Sequence, residues 1–413
     1  MIHDLVSRDA AAFFHQDGSS PCLSALRTTE GIWLEDVEGR RFIDLHGNTA
    51  HHVGHRHPEI VAALKRQLDI LPFSPRRYTN EPAVALAEKL LAHWPGAPAK
   101  LLFATGGSDA MEIALKLARL NTGRHETISL EGSYHGHGFG SFGLSKAVPD
   151  PRLGPFLPGR RHVTPYWAPG GAERMLAEIR EVFEESHGGI AAIVAEPIRS
   201  NCHMPPVGLW AQIRKLCDRH GALLIFDEIP SGLGKTGRFF AFEHVGAVPD
   251  AVVLGKALGG GMLPIAAVIA DVRFDIAPEL DLGHYTHEKN PLTTRAALTM
   301  IEIIERDRLV ERAAWLEQRI RSRIADLART APAIRGVRGA GLLLALEFDP
   351  AMCGSVPGPD FAVKLIGACM DAGLSTTSKG ADSIGFSLPM TVSDAELDLI
   401  FETVRKVAEA LQR

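Results

Sequence analysis

Between residues 100 and 270, short apolar runs alternate with longer stretches whose apolar positions recur at helical spacing. The runs cover 101–104, 127–130, 190–195, 223–226 and 251–254, and the amphipathic stretches include 109–120, 172–186 and 208–219. Strands alternating with helices predict a mostly parallel sheet covered on both faces. Upstream, 31–45 predicts two short strands around the turn-like Glu38-Gly39, and 59–68 and 82–93 predict helices. Downstream, 294–329 predicts a long helical stretch broken near Asp307, 341–348 a strand, and 360–372 and 393–412 helices. This tail reads as a separate α+β domain. The Gly/Pro-rich stretch 147–171 reads as a long loop, and long loops near sites are often functional. No internal repeat or low-complexity linker interrupts the pattern.

At 413 residues the chain is long enough for two or three domains. Hydrophobic residues at 46% and charged residues at 23% are ordinary for a globular protein that buries a sizeable core. The formal charge of −5 gives no basic balance, so neither nucleic acid nor an anionic membrane surface is an expected partner. No apolar run reaches the roughly 18 residues of a spanning helix. The opening Met1-Ile2-His3-Asp4-Leu5-Val6 lacks a signal peptide's basic-then-apolar order. The five cysteines, Cys22, Cys202, Cys217, Cys353 and Cys369, are scattered and form no CxxC pair. Reduced thiols and a cytoplasmic setting are the expectation.

Several apolar runs end in a polar residue. Glu196-Pro197 follows 190–195, Asp227-Glu228 follows 223–226, and Lys256 follows 251–254. Thr105-Gly106-Gly107-Ser108 follows 101–104. Ligands of open α/β sheets bind beyond the carboxyl ends of the strands, so these residues should converge on one site. The Gly106-Gly107-Ser108 turn opens a helix whose free N–H groups and dipole favour an anion such as phosphate. Alone, that turn is better read as a plain N-cap; the other strand ends tip the balance. Lys256, ahead of Gly259-Gly260-Gly261, is either a solvated surface lysine or a nucleophile whose pKa is lowered in a partly dry pocket. Asp227 is either an N-cap or the partner of a buried cation. Tyr134 is either a core aromatic or a stacking platform for a flat ring. The histidines in 51–58 match no metal-ligand spacing and read as turn and packing residues, so no metal is expected.

Taken together, these residues resemble the class III aminotransferases, pyridoxal-phosphate enzymes of fold type I, over roughly 30–400. The resemblance rests on ordered motifs. They are Gly54-His55-Arg56-His57-Pro58-Glu59, Asn80-Glu81-Pro82, Gly107-Ser108-Asp109-Ala110-Met111-Glu112, Tyr134-His135-Gly136, Glu196-Pro197-Ile198, Asp227-Glu228-Ile229, Gly255-Lys256 with Gly259-Gly260-Gly261, Asn290-Pro291, and Val337-Arg338-Gly339 with Gly341. It implies an N-terminal segment (1–50) packing with a small C-terminal α+β domain (296–413), and a large cofactor-binding α/β domain (51–295) between them. It implies pyridoxal 5'-phosphate as cofactor, with Lys256 binding it covalently and carrying a proton. Asp227 would pair with its ring nitrogen, and backbone N–H groups of Gly107 and Ser108 would hold its phosphate. Tyr134 and Ile229 would cover the two ring faces, and Glu196 would belong to the same set. Thr286 would reach the phosphate of a neighbouring subunit, which implies a homodimer or dimer of dimers with sites at the interface.

The departures from the family pattern bear on the reaction. Gly385 stands where many relatives carry an arginine that clamps a substrate carboxylate as a bidentate pair. His287-Glu288-Lys289 replaces Phe-Gly-Gly, and Pro230 replaces a glutamine. Arg76-Arg77 precedes Tyr78 and is either a surface pair or a holder of a dianionic phosphonate or phosphate. Lys379 and Arg199 are further candidates for that task. The pattern, including His46-Gly47-Asn48, resembles the family's 1-hydroxy-2-aminoethylphosphonate ammonia-lyase branch. The expected substrate is a small amine with a phosphonate or phosphate and no α-carboxylate. His287 and His52 are candidate proton donors, and His287 joins Arg76 and Arg77 as a candidate substrate contact. An ω-amine transaminase is the alternative reading, followed by an aminomutase or epimerase. A cofactor-binding regulator fits least, since Lys256 and Asp227 are both present.

Overall fold

The computed structural model describes residues 2–16, 22–96, 98–145 and 150–412. Helix α1 (Ile2–Ala12) leads to strands β1 (Leu26–Glu30), β2 (Trp33–Asp36) and β3 (Arg41–Asp44), and to helices α2 (Pro58–Ile70) and α3 (Glu81–Ala92). The large sheet is built from β4 (Ala99–Ala104), β5 (Glu126–Leu130), β6 (Arg160–Val163), β7 (Ile190–Ala195), β8 (Leu223–Asp227), β9 (Ala251–Leu254) and β10 (Ala266–Asp271). Helices α4 (Gly107–Thr122), α5 (Phe139–Ser145), α6 (Gly171–Glu185) and α7 (Leu209–His220) connect its strands. Then come α8 (Pro291–Arg306), α9 (Leu309–Thr330), β11 (Ile334–Ala340), β12 (Leu343–Phe348), α10 (Pro359–Asp371), β13 (Leu374–Ser375), β14 (Ser378–Gly380), β15 (Ser383–Ser387) and α11 (Asp394–Leu411).

The large sheet runs in the order β4-β10-β9-β8-β7-β5-β6. The pairs from β6 through β9 are parallel, and β10 is antiparallel to both its neighbours. Every residue of β7, β8 and β9 is buried, which is why these strands read as unbroken apolar runs. Their side chains divide between two cores. Leu224, Phe226, Val252 and Leu254 pack with Trp210, Ile213 and Ile179 of α7 and α6. Leu223, Ile225, Ala251 and Val253 pack with Ala110, Ala114 and Ala118 of α4. Helices therefore cover both faces, as the alternation predicts. Each fully buried aliphatic or aromatic side chain contributes about 1.5–3 kcal/mol.

The stretch 147–171, read above as a loop, carries β6 at the sheet's edge; residues 146–149 lie outside the described residues. The apolar pattern likewise does not mark β1, β10, β11, β13, β14 or β15. The helix break expected near Asp307 falls between α8 and α9. A second sheet, β1-β2-β3-β13, joins the chain's beginning to its C-terminal part, with Leu374 opposite Ile43. A third, β11-β12-β15-β14, is antiparallel. Helix α8 continues unbroken through residue 295.

The third sheet meets the loop after β8 at one tight point. Leu342 N donates to Lys235 O at 2.8 Å, and Gly341 beside it holds a left-handed φ of 55°. A Cβ on Gly341 would run into the backbone of Thr236 and come within 2.5 Å of Lys235 O. Gly188 also has a left-handed φ, 88°, but a Cβ there meets nothing within 4 Å. Gly188→Ala should therefore lose only the left-handed penalty of about 1–2 kcal/mol. Gly341→Ala should lose about 1–3 kcal/mol more, because neither backbone can yield. Urea denaturation of the two variants measures the difference, and equal losses would refute the close-approach argument.

Candidate active site

The strand ends do converge. Gly107, Ser108, Tyr134, His135, Gly136, Glu196, Ser200, Asp227, Ile229, Pro230 and Lys256 line one pocket. Parallel pairing of β7, β8 and β9 brings Glu196, Asp227 and Lys256 to the same edge of the sheet.

Asp227 ends β8 and is buried. Its Oδ2 lies 2.8 Å from Nδ1 of His135, and its Oδ1 accepts from Ile229 N at 3.1 Å. A carboxylate can only accept, so His135 donates through Nδ1. The buried Nε2 of His135 has no partner among the described residues. In the sequence His135 stands inside the Tyr134-His135-Gly136 motif, and no spacing there assigns it a task. The ring orients the carboxylate, and its contact spans 92 residues of chain.

Lys256 follows β9 with φ 45°, a left-handed conformation that costs a non-glycine residue about 1–3 kcal/mol. Its side chain is open to the pocket's interior while the pocket walls enclose it. It forms no hydrogen bond or ion pair with any described residue. Enclosure lowers its pKa from the ordinary lysine value, only partly offset by the negative charges of Asp227 and Glu196. Glu196 is buried and paired with Arg199, and its Oε1 accepts from Ser200 N at 3.0 Å.

Helix α4 starts at the pocket with Gly106 as N-cap and no side chain on its first-turn N–H groups. Those donors lack intrahelical acceptors and point toward anions. A Cβ on Gly107 would lie 2.7 Å from Ile229 Cδ1, so only glycine lets Ile229 lie this close to the helix start. Tyr134 is half exposed at the pocket rim, and its phenol is pushed to higher pKa by partial burial and by Asp227.

The remaining candidates lie elsewhere in this chain. Thr286 and His287 sit on an exposed turn, with His287 edge-on to Phe73 at 5.3 Å and 3.2 Å from Asn290 Nδ2. Arg76 bridges two loops, pairing with Asp281 at 2.8 Å and Glu288 at 3.1 Å. Arg77 is exposed and has no partner among the described residues. His52 is fully buried, bonded to Gly232 O at 3.0 Å, and burial holds its imidazole well below the usual range. A ring so placed is neutral and outside the pocket lining, which removes His52 as a proton donor to substrate. Gly385 is buried in β15, and a Cβ there would lie 3.3 Å from Lys379 Cε. Among the described residues no cluster of ligating side chains could hold a metal, no helix is long and apolar enough to cross a membrane, and no disulfide forms.

The aminotransferase class-III family matches residues 14–408. The (R)-1-hydroxy-2-aminoethylphosphonate ammonia-lyase of Vibrio splendidus is 34% identical, over 97% of this chain and 89% of that protein. The 5-aminovalerate aminotransferase of Pseudomonas aeruginosa is also 34% identical, over 92% of this chain and 91% of that protein. The crystal structure of a transaminase from the marine bacterium Virgibacillus superposes with a TM-score of 0.90 at 25% identity, covering 99% of both chains.

The lowered pKa of Lys256 leaves more of its amine neutral at a given pH than on a solvated lysine. In cofactor-free protein at pH 8, a small acylating reagent should therefore modify Lys256 ahead of exposed Lys65, and the advantage should shrink as pH rises through the ordinary lysine range, where both amines become neutral. Peptide mass spectrometry reads both rates; equal rates would contradict the enclosed, unpaired amine. Replacing it, Lys256→Ala, should lower turnover by about 10²–10⁴-fold, the usual range for a lost proton-transfer group.

Proposed function

The chain belongs to the class III aminotransferases, and from that premise we propose that it is an ammonia-lyase acting on a small amino-phosphonate. The substrate we assign is 1-hydroxy-2-aminoethylphosphonate in its (R) form, and the products are phosphonoacetaldehyde and ammonia. Pyridoxal 5'-phosphate is the family's cofactor, and the residues present fit it. An uncapped helix start awaits an anion, Asp227 is oriented to face a cation, and the Lys256 amine is unpaired. When bound, the cofactor supplies an electron sink for the carbon carrying the amine.

This chain's residues do the rest. The first-turn N–H groups of α4 hold the phosphate. Asp227, oriented by His135, holds the ring nitrogen's proton. Ile229 and Tyr134, which both line the pocket, would cover the ring. Lys256 takes the proton from the amine-bearing carbon. The neighbouring carbon then loses its hydroxyl as water, and water returns to release the aldehyde and ammonia, so the sum is substrate to aldehyde plus ammonia. Thr286 and His287 serve a second copy's pocket in this reading, since they stand on an exposed turn outside their own. Exposed Phe73, Tyr78, Val84 and Leu102 provide apolar surface in the same region.

The observation that carries the proposal is Gly385. With no side chain there, β15 offers no fork for a substrate's carboxylate, and a keto-acid acceptor would need one. The similarity to the Vibrio splendidus enzyme over nearly the whole chain supports the same reading. A transaminase is the second reading, favoured by equal identity to the Pseudomonas aeruginosa aminotransferase.

The two readings separate in one assay. Holoenzyme is given (R)- or (S)-1-hydroxy-2-aminoethylphosphonate with no keto acid. The lyase should release many equivalents of ammonia and aldehyde per subunit from the (R) form. A stop at one equivalent, with the cofactor left in its amine form, would mean a transaminase.

A further inference from the structure

Two cations press on Lys256 from within the chain, Lys379 and Arg199. The charge of Arg199 is already answered. Its guanidinium pairs with Glu196, donates to Gly132 O and to Ser200 Oγ at 3.1 Å, and lies 5.4 Å from the Trp167 ring. A third cation, Arg338, flanks the same wall, with Nε donating to Asn201 O at 3.2 Å. It is neutralised by Glu347 at 2.8 Å.

Lys379 is different. It lies half-buried on β14, and its ammonium donates to Ser200 O at 2.9 Å. No carboxylate among the described residues pairs with it. Its backbone is anchored, since its carbonyl accepts from Arg338 Nη2 at 2.8 Å. Its methylenes lie across Gly385, where a Cβ would come 3.3 Å from Cε and 3.5 Å from Thr376 Oγ1. Any larger residue at 385 would have to displace the lysine. His46 lies within electrostatic reach of Lys379. Burial lowers its pKa, and the positive charges of Lys379 and Lys256 lower it further. So an ammonium with no carboxylate partner, bonded to the lining residue Ser200, lies near enough to His46 and Lys256 to lower the pKa of both.

We propose that Lys379 binds the anionic end of the substrate and sets its preference for a phosphonate over a carboxylate. The identification of that anion rests on the lyase reading above. Two of the ammonium's three protons remain for a ligand after the bond to Ser200 O. An ammonium is a compact point charge that suits a tetrahedral dianion from any direction, whereas a planar carboxylate is best matched by a guanidinium fork. A ligand bridging from Lys379 toward Lys256 would place a charged group and an amine at opposite ends of a short molecule.

The test uses holoenzyme, Lys379→Met and Lys379→Arg, with methylphosphonate as a non-reacting probe and acetate as the carboxylate control. Binding is followed by the change in absorption of the bound cofactor and by competitive inhibition. Lys379→Met should weaken methylphosphonate binding at least about tenfold, the loss expected for one charge-assisted hydrogen bond. It should raise KM for the amino-phosphonate similarly while leaving kcat, cofactor content and thermal midpoint nearly unchanged. Lys379→Arg should restore most of the phosphonate binding and improve acetate binding. Methylphosphonate binding that is absent in the parent enzyme, or equal in parent and Lys379→Met, would overturn the assignment. If Lys379-dependent phosphonate binding is found but no ammonia is released, the anion site stands and the lyase reading falls.

Discussion

A sheet buried on both faces can keep polar side chains only where its strands end. Strands β7, β8 and β9 have no exposed residue, so Glu196, Asp227 and Lys256 have nowhere else to stand. Parallel pairing then brings these ends to one edge, and β4, sharing the antiparallel neighbour β10 with β9, delivers the start of α4 to the same place. The site is thus a consequence of topology before it is a set of residues. The same enclosure has an electrostatic cost. An ammonium there is poorly solvated, so Lys256 loses basicity, and Asp227 is steadied by a histidine that follows β5, two strands away.

The C-terminal part is fixed to that edge by backbone rather than by side-chain contact alone. Ser387 N donates to Leu45 O and Met390 N to His52 O, each at 2.8 Å. Lys235, fully buried, donates its ammonium to Leu388 O. Burial pushes Lys235 down to about 7, where about half of it is still protonated at neutral pH, and His51 down to about 3. Asp44 in turn is held down to about 2, because its bond to His55 and backbone N–H groups outweighs its burial. Such a seam is rigid. Gly385 N donates to Thr377 O at 2.8 Å and Thr376 Oγ1 to Gly385 O at 2.7 Å, which fixes β14, and Lys379 with it, against the pocket wall.

The parts of this arrangement legible in the sequence were those set by burial. Residues 190–195 and 251–254 are apolar throughout because both faces are covered, and their ends are readable for the same reason. Strand β6 was missed because Arg160-Arg161-His162-Val163 forms an edge, where only one side needs a partner. Strands β11 and β15, with Gly336 and Gly339 or Ser383 and Gly385, resemble loop sequence; their burial comes from neighbours distant in the chain. The antiparallel sense of β10 has no compositional mark. His135 was hidden for a related reason: its bond to Asp227 joins two strand ends that no spacing rule connects. Lys379 could be suspected as a cation, but only packing across Gly385 distinguishes it from Arg199 and Arg76, whose charges are matched by carboxylates.

That matching bears on what kind of reaction the pocket suits. A transaminase must hold two substrates in turn, and the second is a keto acid whose carboxylate calls for a guanidinium fork. Beside this pocket Arg199 is occupied by Glu196 and Arg338 by Glu347. Freeing Arg199 would leave buried Glu196 without its ion-pair partner, a cost of about 3–5 kcal/mol that a carboxylate ligand would have to overcome. A lyase binds one substrate and finishes with its cofactor unchanged, so it has no need of a spare fork. Apart from Lys256 itself, the cation beside the pocket that no carboxylate among the described residues pairs with is the Lys379 ammonium, and an ammonium matches the tetrahedral end of a phosphonate at no such cost. The charge pattern and the proposed one-substrate chemistry are therefore two statements of the same constraint.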